Sequence, residues 1–208
     1  MKDLLLILFA YLTVQNVAFA QDSINLVPQK TYTTKPLLTN APPIIDGLLN
    51  DTSWDMVAWA SDFIEQRPDE NTPPNHQTKF KILYDENYLY IGVRCLDEFS
   101  SNNGNDSDES WNPIWYTKTN IDDLGWTAEM KIPLSQLKFG KSKEQIWGLQ
   151  FMRKLFREEE RSVWQRIPQD TPGWASEFGL LKGLLNIEPQ KQLEIQPYTI
   201  AKFETYEA

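Results

Sequence analysis

Two short stretches of this 208-residue chain place tryptophan beside small polar groups, as a surface that grips a pyranose ring requires. They are Trp111-Asn112-Pro113-Ile114-Trp115-Tyr116 and Gly173-Trp174-Ala175-Ser176-Glu177. A sugar ring has apolar C–H faces and a rim of hydroxyls. An indole covers the first, and amide, carboxylate and guanidinium groups hydrogen-bond the second. Trp111, Trp115 and Trp174 are therefore candidate platform residues, with Asn112, Arg153 and Glu177 as candidate rim partners. Trp54, Trp126 and Trp147 sit at apolar-periodic positions and read as core. Eight Trp, eight Tyr and ten Phe fit strand cores as well as sugar platforms, so local setting rather than abundance singles out the three.

Other chemistries find less support. One His and one Cys cannot build a zinc site of the usual nitrogen and sulfur type. Calcium needs only oxygen ligands, and Asp97, Asp106, Asp108 and Glu109 could supply them. That segment lacks the residue order of a calcium loop, and its charge reads as solvation of a mobile loop; no cofactor is expected. No G-x-S-x-G elbow is present, and His76 lies in a loop without a Ser or Cys partner suggested by spacing. Glycoside hydrolysis needs two carboxylates flanking one bond, and sequence cannot pair them. Glu129 has the best setting, in a strand between Ala128 and Met130, but an outward charge on an alternating strand is the expectation. Glu65 and Glu177 are equally ambiguous.

The elements that must position these groups are short strands. Residues 41–47 run extended through two prolines and close at Asp46-Gly47, a turn dipeptide. Asn50 or Asp51 then caps a short helix containing Trp54, Met56 and Val57. Residues 60–66 read as a strand. Thr78–Tyr84 and Tyr88–Leu96 form a hairpin around Asp85-Glu86-Asn87. Leu89, Ile91, Val93 and Cys95 alternate onto one face, which should be core. Residues 97–110 are acidic, with a single apolar residue, and read as a loop. Residues 114–120 resume strand character. Trp126, Ala128, Met130 and Ile132 alternate with Thr127, Glu129 and Lys131 in a half-buried strand ended by Pro133. Residues 135–139 form a turn or short helix, and residues 146–158 read as one strand with Trp147, Leu149 and Phe151 on one face. The charged run 157–161 reads as a solvated turn, 177–185 as apolar and glycine-punctuated, and 193–206 as a long last strand. Many short strands with little helix predict a mainly β chain, an antiparallel β-sandwich of immunoglobulin or jelly-roll type.

The first twenty residues have the three parts of a secretory signal peptide. Lys2 charges the start, Leu4 to Leu12 is apolar, and Ala18-Phe19-Ala20 offers small residues at the cleavage positions before Gln21. The apolar run is shorter than the ~20 residues a membrane span needs. The expectation is a chain exported to the periplasm, outer membrane or cell surface. Its net charge of −9 repels phosphate backbones, so nucleic acid is not an expected partner. The single Cys95 cannot form an intramolecular disulfide and reads as a buried thiol.

Three segments in order carry a family resemblance. Ile45-Asp46-Gly47-Leu48-Leu49-Asn50-Asp51-Thr52-Ser53-Trp54 is similar to the opening I-D-G-x-(x)-x-D-x-x-W of family 9 carbohydrate-binding modules. Phe80 to Val93 resembles their next signature, a strand, a turn containing D-x-x-x-L-Y, and a second strand. Gly125-Trp126-Thr127-Ala128-Glu129-Met130-Lys131-Ile132-Pro133 resembles a third, G-W-x-x-E-x-x-I-P. Asn112-Pro113-Ile114-Trp115, Arg153, Trp174-Ala175-Ser176-Glu177-Phe178-Gly179 and Gln196-Pro197-Tyr198 resemble a subgroup of exported bacterial proteins. These place such a module before an outer-membrane β-barrel.

The resemblance implies a β-sandwich, a polysaccharide or oligosaccharide partner, xylan among the glycans to test, and a link to carbohydrate catabolism without catalysis. Behind the signal peptide at 1–20 and a polar lead-in at 21–40 that reads as extended, it implies the module at 41–186 and a truncated barrel-like start at 187–208. The barrel itself would be the link to the outer membrane. Two alternatives stand beside this reading: a structural N-terminal domain of a barrel protein without sugar binding, and a glycoside hydrolase. The chain departs from the family after Leu96. There the acidic loop joins almost directly to Trp111, so a stretch of central strands is missing, and with it part of a sugar or calcium site.

Overall fold

The computed structural model describes residues 28–38, 41–97, 115–168 and 175–189. Eleven strands are assigned among them: β1 (Thr31–Thr33), β2 (Lys35–Pro36), β3 (Ile64–Arg67), β4 (Thr78–Tyr84), β5 (Tyr88–Leu96), β6 (Tyr116–Asp122), β7 (Gly125–Pro133), β8 (Glu144–Leu149), β9 (Met152–Leu155), β10 (Glu160–Val163) and β11 (Gly179–Leu185). The helical elements among the described residues are single 3-10 turns. The strands form a β-sandwich. One layer is a five-stranded sheet in the order β2-β4-β5-β7-β6. Facing it are two three-stranded sheets, β1-β11-β8 and β3-β10-β9.

Alternation sets the core. Leu89, Ile91, Val93 and Cys95 on β5 and Ala128, Met130 and Ile132 on β7 are buried on one face with Trp147, Leu149, Phe151, Leu181 and Leu184 from the opposite layer. Trp126 packs against this cluster while only partly buried. At its centre Phe80 stacks on Phe151, with centroids 3.9 Å apart, and meets Trp164 edge-on at 5.2 Å. Cys95 is buried, and burial pushes its thiol up to about 11, so it stays protonated and inert.

The hairpin of β4 and β5 pairs Thr78 with Cys95 through Tyr84 with Leu89. Asp85 closes it, its carboxylate accepting the backbone N–H groups of Asn87 and Tyr88 at 2.8 Å each. The lead-in does more than its composition suggests. β1 pairs in parallel with β11 in one layer, and β2 pairs in parallel with β4 in the other. Thr34 is the crossing point: its N–H donates to Lys182 and its hydroxyl to Ile82, at 2.9 and 2.7 Å. Two of the expected boundaries shift. The strand expected over 60–66 is β3, with Ala60 contributing only an isolated bridge to Phe80.

The run expected as one strand over 146–158 is two strands in different sheets. Gln150 lies at the break. Its side chain takes the place of a neighbouring strand, accepting the N–H of Phe151 and Gln165 and donating to the carbonyl of Gln165 at 2.7 Å. The solvated turn expected over 157–161 instead enters β10, where Glu160 is buried. The acidic loop from 98 to 110 and the expected strand over 193–206 lie outside the described residues.

Candidate functional site

The outer face of the five-stranded sheet is where the sequence expectation changes most. Alternation alone puts Thr127 and Glu129 in solvent. Instead both are buried, Glu129 fully, because the segment from Ile45 to Val57 folds over that face. The Glu129 carboxylate accepts the backbone N–H groups of Asp46 and Gly47 at 3.1 and 2.9 Å and the indole N–H of Trp54 at 2.9 Å. Gly47 has φ +93, and a Cβ there would stand 2.7 Å from the backbone of Thr119, so only glycine lets the turn lie this close. Gly92, opposite Glu129 on β5, leaves the space that Leu49 and the Trp54 ring occupy. The opening motif and the Glu of the third motif are thus two halves of one internal clamp.

Burial raises the Glu129 carboxyl above its ordinary value of 4.5, outweighing the three hydrogen bonds that favour the charged form. A carboxyl whose pKa is higher folded than unfolded contributes stability that is complete below the unfolded value and lost as pH climbs through the folded one. Stability should therefore fall as pH rises from about 4 toward neutrality, and Glu129→Gln should lack that share of the slope. The penalty of Glu129→Gln, read by urea unfolding at several pH values, should shrink as pH rises. A penalty constant across that window would show that burial does not dominate.

The clamp shapes a groove of about 300 Å³ beside it, lined by Leu48, Leu49, Asn50, Trp59, Arg94, Asn120, Asp122 and Thr127. Trp59 is 39% exposed. The ammonium of Lys81 sits 4.9 Å from the Trp59 ring centroid and donates to the carbonyl of Trp54 at 2.6 Å, so the indole is held from beneath. Arg94 and Asp122 form a bidentate pair at 2.6 and 2.9 Å. Hydrogen bonds from Arg94, then from the N–H of Leu124, hold the Asp122 carboxyl below its ordinary value, so it is an anion at neutral pH. Thr127 donates its hydroxyl to Gly47, while Asn50 and Asn120 bring amides to the rim. An aromatic face with a planar ion pair and two amides around it is the donor and acceptor set a sugar ring needs.

Of the residues singled out from sequence, Trp111, Asn112 and Trp174 lie outside the described residues. Trp115 is 41% exposed and lies one residue before β6, whose Asn120 and Asp122 reach the groove. Glu177 is half-buried at the end of a 3-10 turn. Arg153 is 3% exposed and committed internally: its guanidinium donates to the carbonyls of His76 and Leu96 and pairs with Asp97 at 3.1 Å. Asp97 also pairs with Arg157 at 2.6 Å, so among the calcium candidates it is already neutralised by two guanidinium groups. No hydrogen bond, ion pair or ring contact among the described residues joins Trp115, Arg153 and Glu177. Trp59 escaped the sequence reading because Val-Ala-Trp-Ala looks like apolar core. No alternation marks it, since Ala58 is exposed and Ala60 only half-buried beside it.

Residues 45–115 match the family model of the carbohydrate family 9 binding domain-like proteins. No curated protein matches the chain. Among solved structures, the chain is similar to a family 9 carbohydrate-binding module from Caldicellulosiruptor kristjanssonii in complex with cellotriose. The identity is 18%, with 82% of this chain and 100% of that one covered, at a TM-score of 0.56. The same module in complex with glucose gives 19%, 81%, 100% and 0.54. A candidate carbohydrate-binding protein from Bacteroides uniformis gives 14%, 74%, 99% and 0.52. The chain therefore has the β-sandwich fold of these modules, and the matched region contains the Asp46-Gly47 and Trp54 half of its internal clamp.

Proposed function

We propose that this is a non-catalytic carbohydrate-binding β-sandwich that takes an oligosaccharide in the groove at Trp59. The observation that carries the reading is an exposed indole set beside the Arg94–Asp122 pair over a groove of about 300 Å³. That volume is at the lower end of ligand pockets and suits a short stretch of sugar. The likeness to modules solved with cellotriose and glucose supports the same class of ligand. Asp122 is the one carboxylate among the lining residues, whereas glycoside hydrolysis needs two, which favours binding over catalysis. Export of the chain and a role in polysaccharide use rest on Lys2, the apolar run to Leu12 and Ala18-Phe19-Ala20, together with the family likeness. Resemblance at Gln196-Pro197-Tyr198 supports attachment to a barrel.

Stacking on one indole contributes about 1 kcal/mol beyond area. An open groove with one platform should therefore bind near the millimolar range, about 4 kcal/mol in total. Titration with cellotriose and xylo-oligosaccharides should give saturable tryptophan quenching, and Trp59→Ala should abolish it while leaving the melting temperature unchanged. A folded protein that responds to neither sugar at tens of millimolar would leave only the structural-domain reading.

A further inference from the structure

Three cations stand in a row on the β3-β10-β9 sheet, in the layer opposite the groove. Arg161 on the central strand β10 lies directly across from Arg67 on β3 and from Lys154 on β9. Neighbouring strands are about 4.8 Å apart, so the row spans roughly 10 Å of backbone from Arg67 to Lys154. Among the described residues none of the three pairs with a carboxylate, although the chain has 29 acidic residues and a net charge of −9. Like charges directly opposite one another destabilise a sheet, and here two such pairs share one residue. The Nε of Arg161 is buried without a hydrogen-bond partner among the described residues. Burial, and then the charge of Arg67, hold the Arg161 guanidinium below its ordinary pKa. The Lys154 ammonium lies 4.1 Å from the ring centroid of Phe156, and that ring remains partly exposed.

An unneutralised row of this kind has a use if an anion completes it. Spread over three strands instead of converging on one point, the row suits carboxylates distributed along a chain molecule better than one compact ion, and Phe156 adds an apolar face at one end. We propose that Arg67, Arg161 and Lys154 form a second binding site, for a carboxylate-bearing oligosaccharide of the uronate class. The carboxylates lie along the cation row, and a ring face rests on Phe156. The sugar part of this assignment rests on the carbohydrate-binding reading; the anion part stands on the row itself.

The test is a set of thermal melts and titrations of the full chain at fixed ionic strength, with trigalacturonate, cellotriose and sodium sulfate as separate probes. Trigalacturonate should raise the melting temperature saturably, because a ligand that binds only the folded state stabilises it. Arg161→Gln and Arg67→Gln should each weaken that response about tenfold, as expected for a charge-assisted contact. Arg67 is exposed, so Arg67→Gln should fold normally. Its unliganded melting temperature should hold or rise as repulsion is relieved. Cellotriose, which reports on Trp59, should respond equally in all three proteins. No response to trigalacturonate, or a response unchanged in Arg67→Gln, would overturn the site. Sulfate matching trigalacturonate would overturn the uronate assignment. Trigalacturonate binding that depends on Arg67, without any cellotriose response, would instead count against the Trp59 groove alone.

Discussion

Glu129→Ala should lower the unfolding free energy by about 4 kcal/mol, because it orphans three buried donors at roughly 1–3 kcal/mol each. The donors are the backbone N–H groups of Asp46 and Gly47 and the indole N–H of Trp54. Water reaches this site poorly, since Glu129 is fully buried and Trp54 only 1% exposed. Against the ~5–15 kcal/mol that stabilises an ordinary domain, the loss is a large share of the whole. Glu129→Gln keeps one acceptor and turns an NH2 toward the remaining donors, so it should cost less, about 2 kcal/mol. Urea unfolding of the three proteins gives the comparison directly. A shift under about 1 kcal/mol for the alanine variant would mean that the segment from Ile45 to Val57 is held by apolar packing and not by the clamp. The groove is lined on one side by Leu48, Leu49 and Asn50 of that segment, so sugar binding should fall with the clamp even at temperatures where the sandwich survives.

The sandwich was legible in the sequence because its signal is local. Period-2 faces on β5 and β7 named the core directly, and Asp85-Glu86-Asn87 marked the hairpin. The clamp was legible only as a resemblance: Asp46-Gly47, Trp54 and Glu129 were all singled out, but their meeting depends on contacts 75 to 83 residues apart. Alternation predicts which face a side chain takes, and it cannot say that another segment will cover that face. Alternation therefore points Thr127 and Glu129 outward, where the segment from Ile45 to Val57 buries them. The same limit hid Trp59, whose exposure depends on where the 3-10 turn from Thr52 to Met56 leaves the chain. The split between β8 and β9 was invisible because a glutamine side chain substitutes for strand pairing at the break, and no residue pattern announces that.

Arg153 separates the structural from the binding role most sharply. Its place in the last core strand read from the sequence, and its resemblance to the exported, barrel-linked subgroup, make it a rim candidate. The structure gives its buried guanidinium three internal partners: two carbonyls, at His76 and Leu96, and the carboxylate of Asp97. Arg153→Met keeps much of the volume and removes the charge. Asp97 then keeps its pair with Arg157, whose side chain is 26% exposed and better solvated. Removing one member of a buried pair typically costs 3–5 kcal/mol. Because Arg157 still neutralises Asp97 in part, about 3 kcal/mol is expected here. Cellotriose quenching at Trp59 should be unchanged below the melting transition, since Arg153 is not among the groove's lining residues. Trp59→Ala should show the reverse, full stability without quenching. If Arg153→Met keeps its stability and loses the sugar, the rim assignment read from sequence is right and the groove at Trp59 is the wrong site.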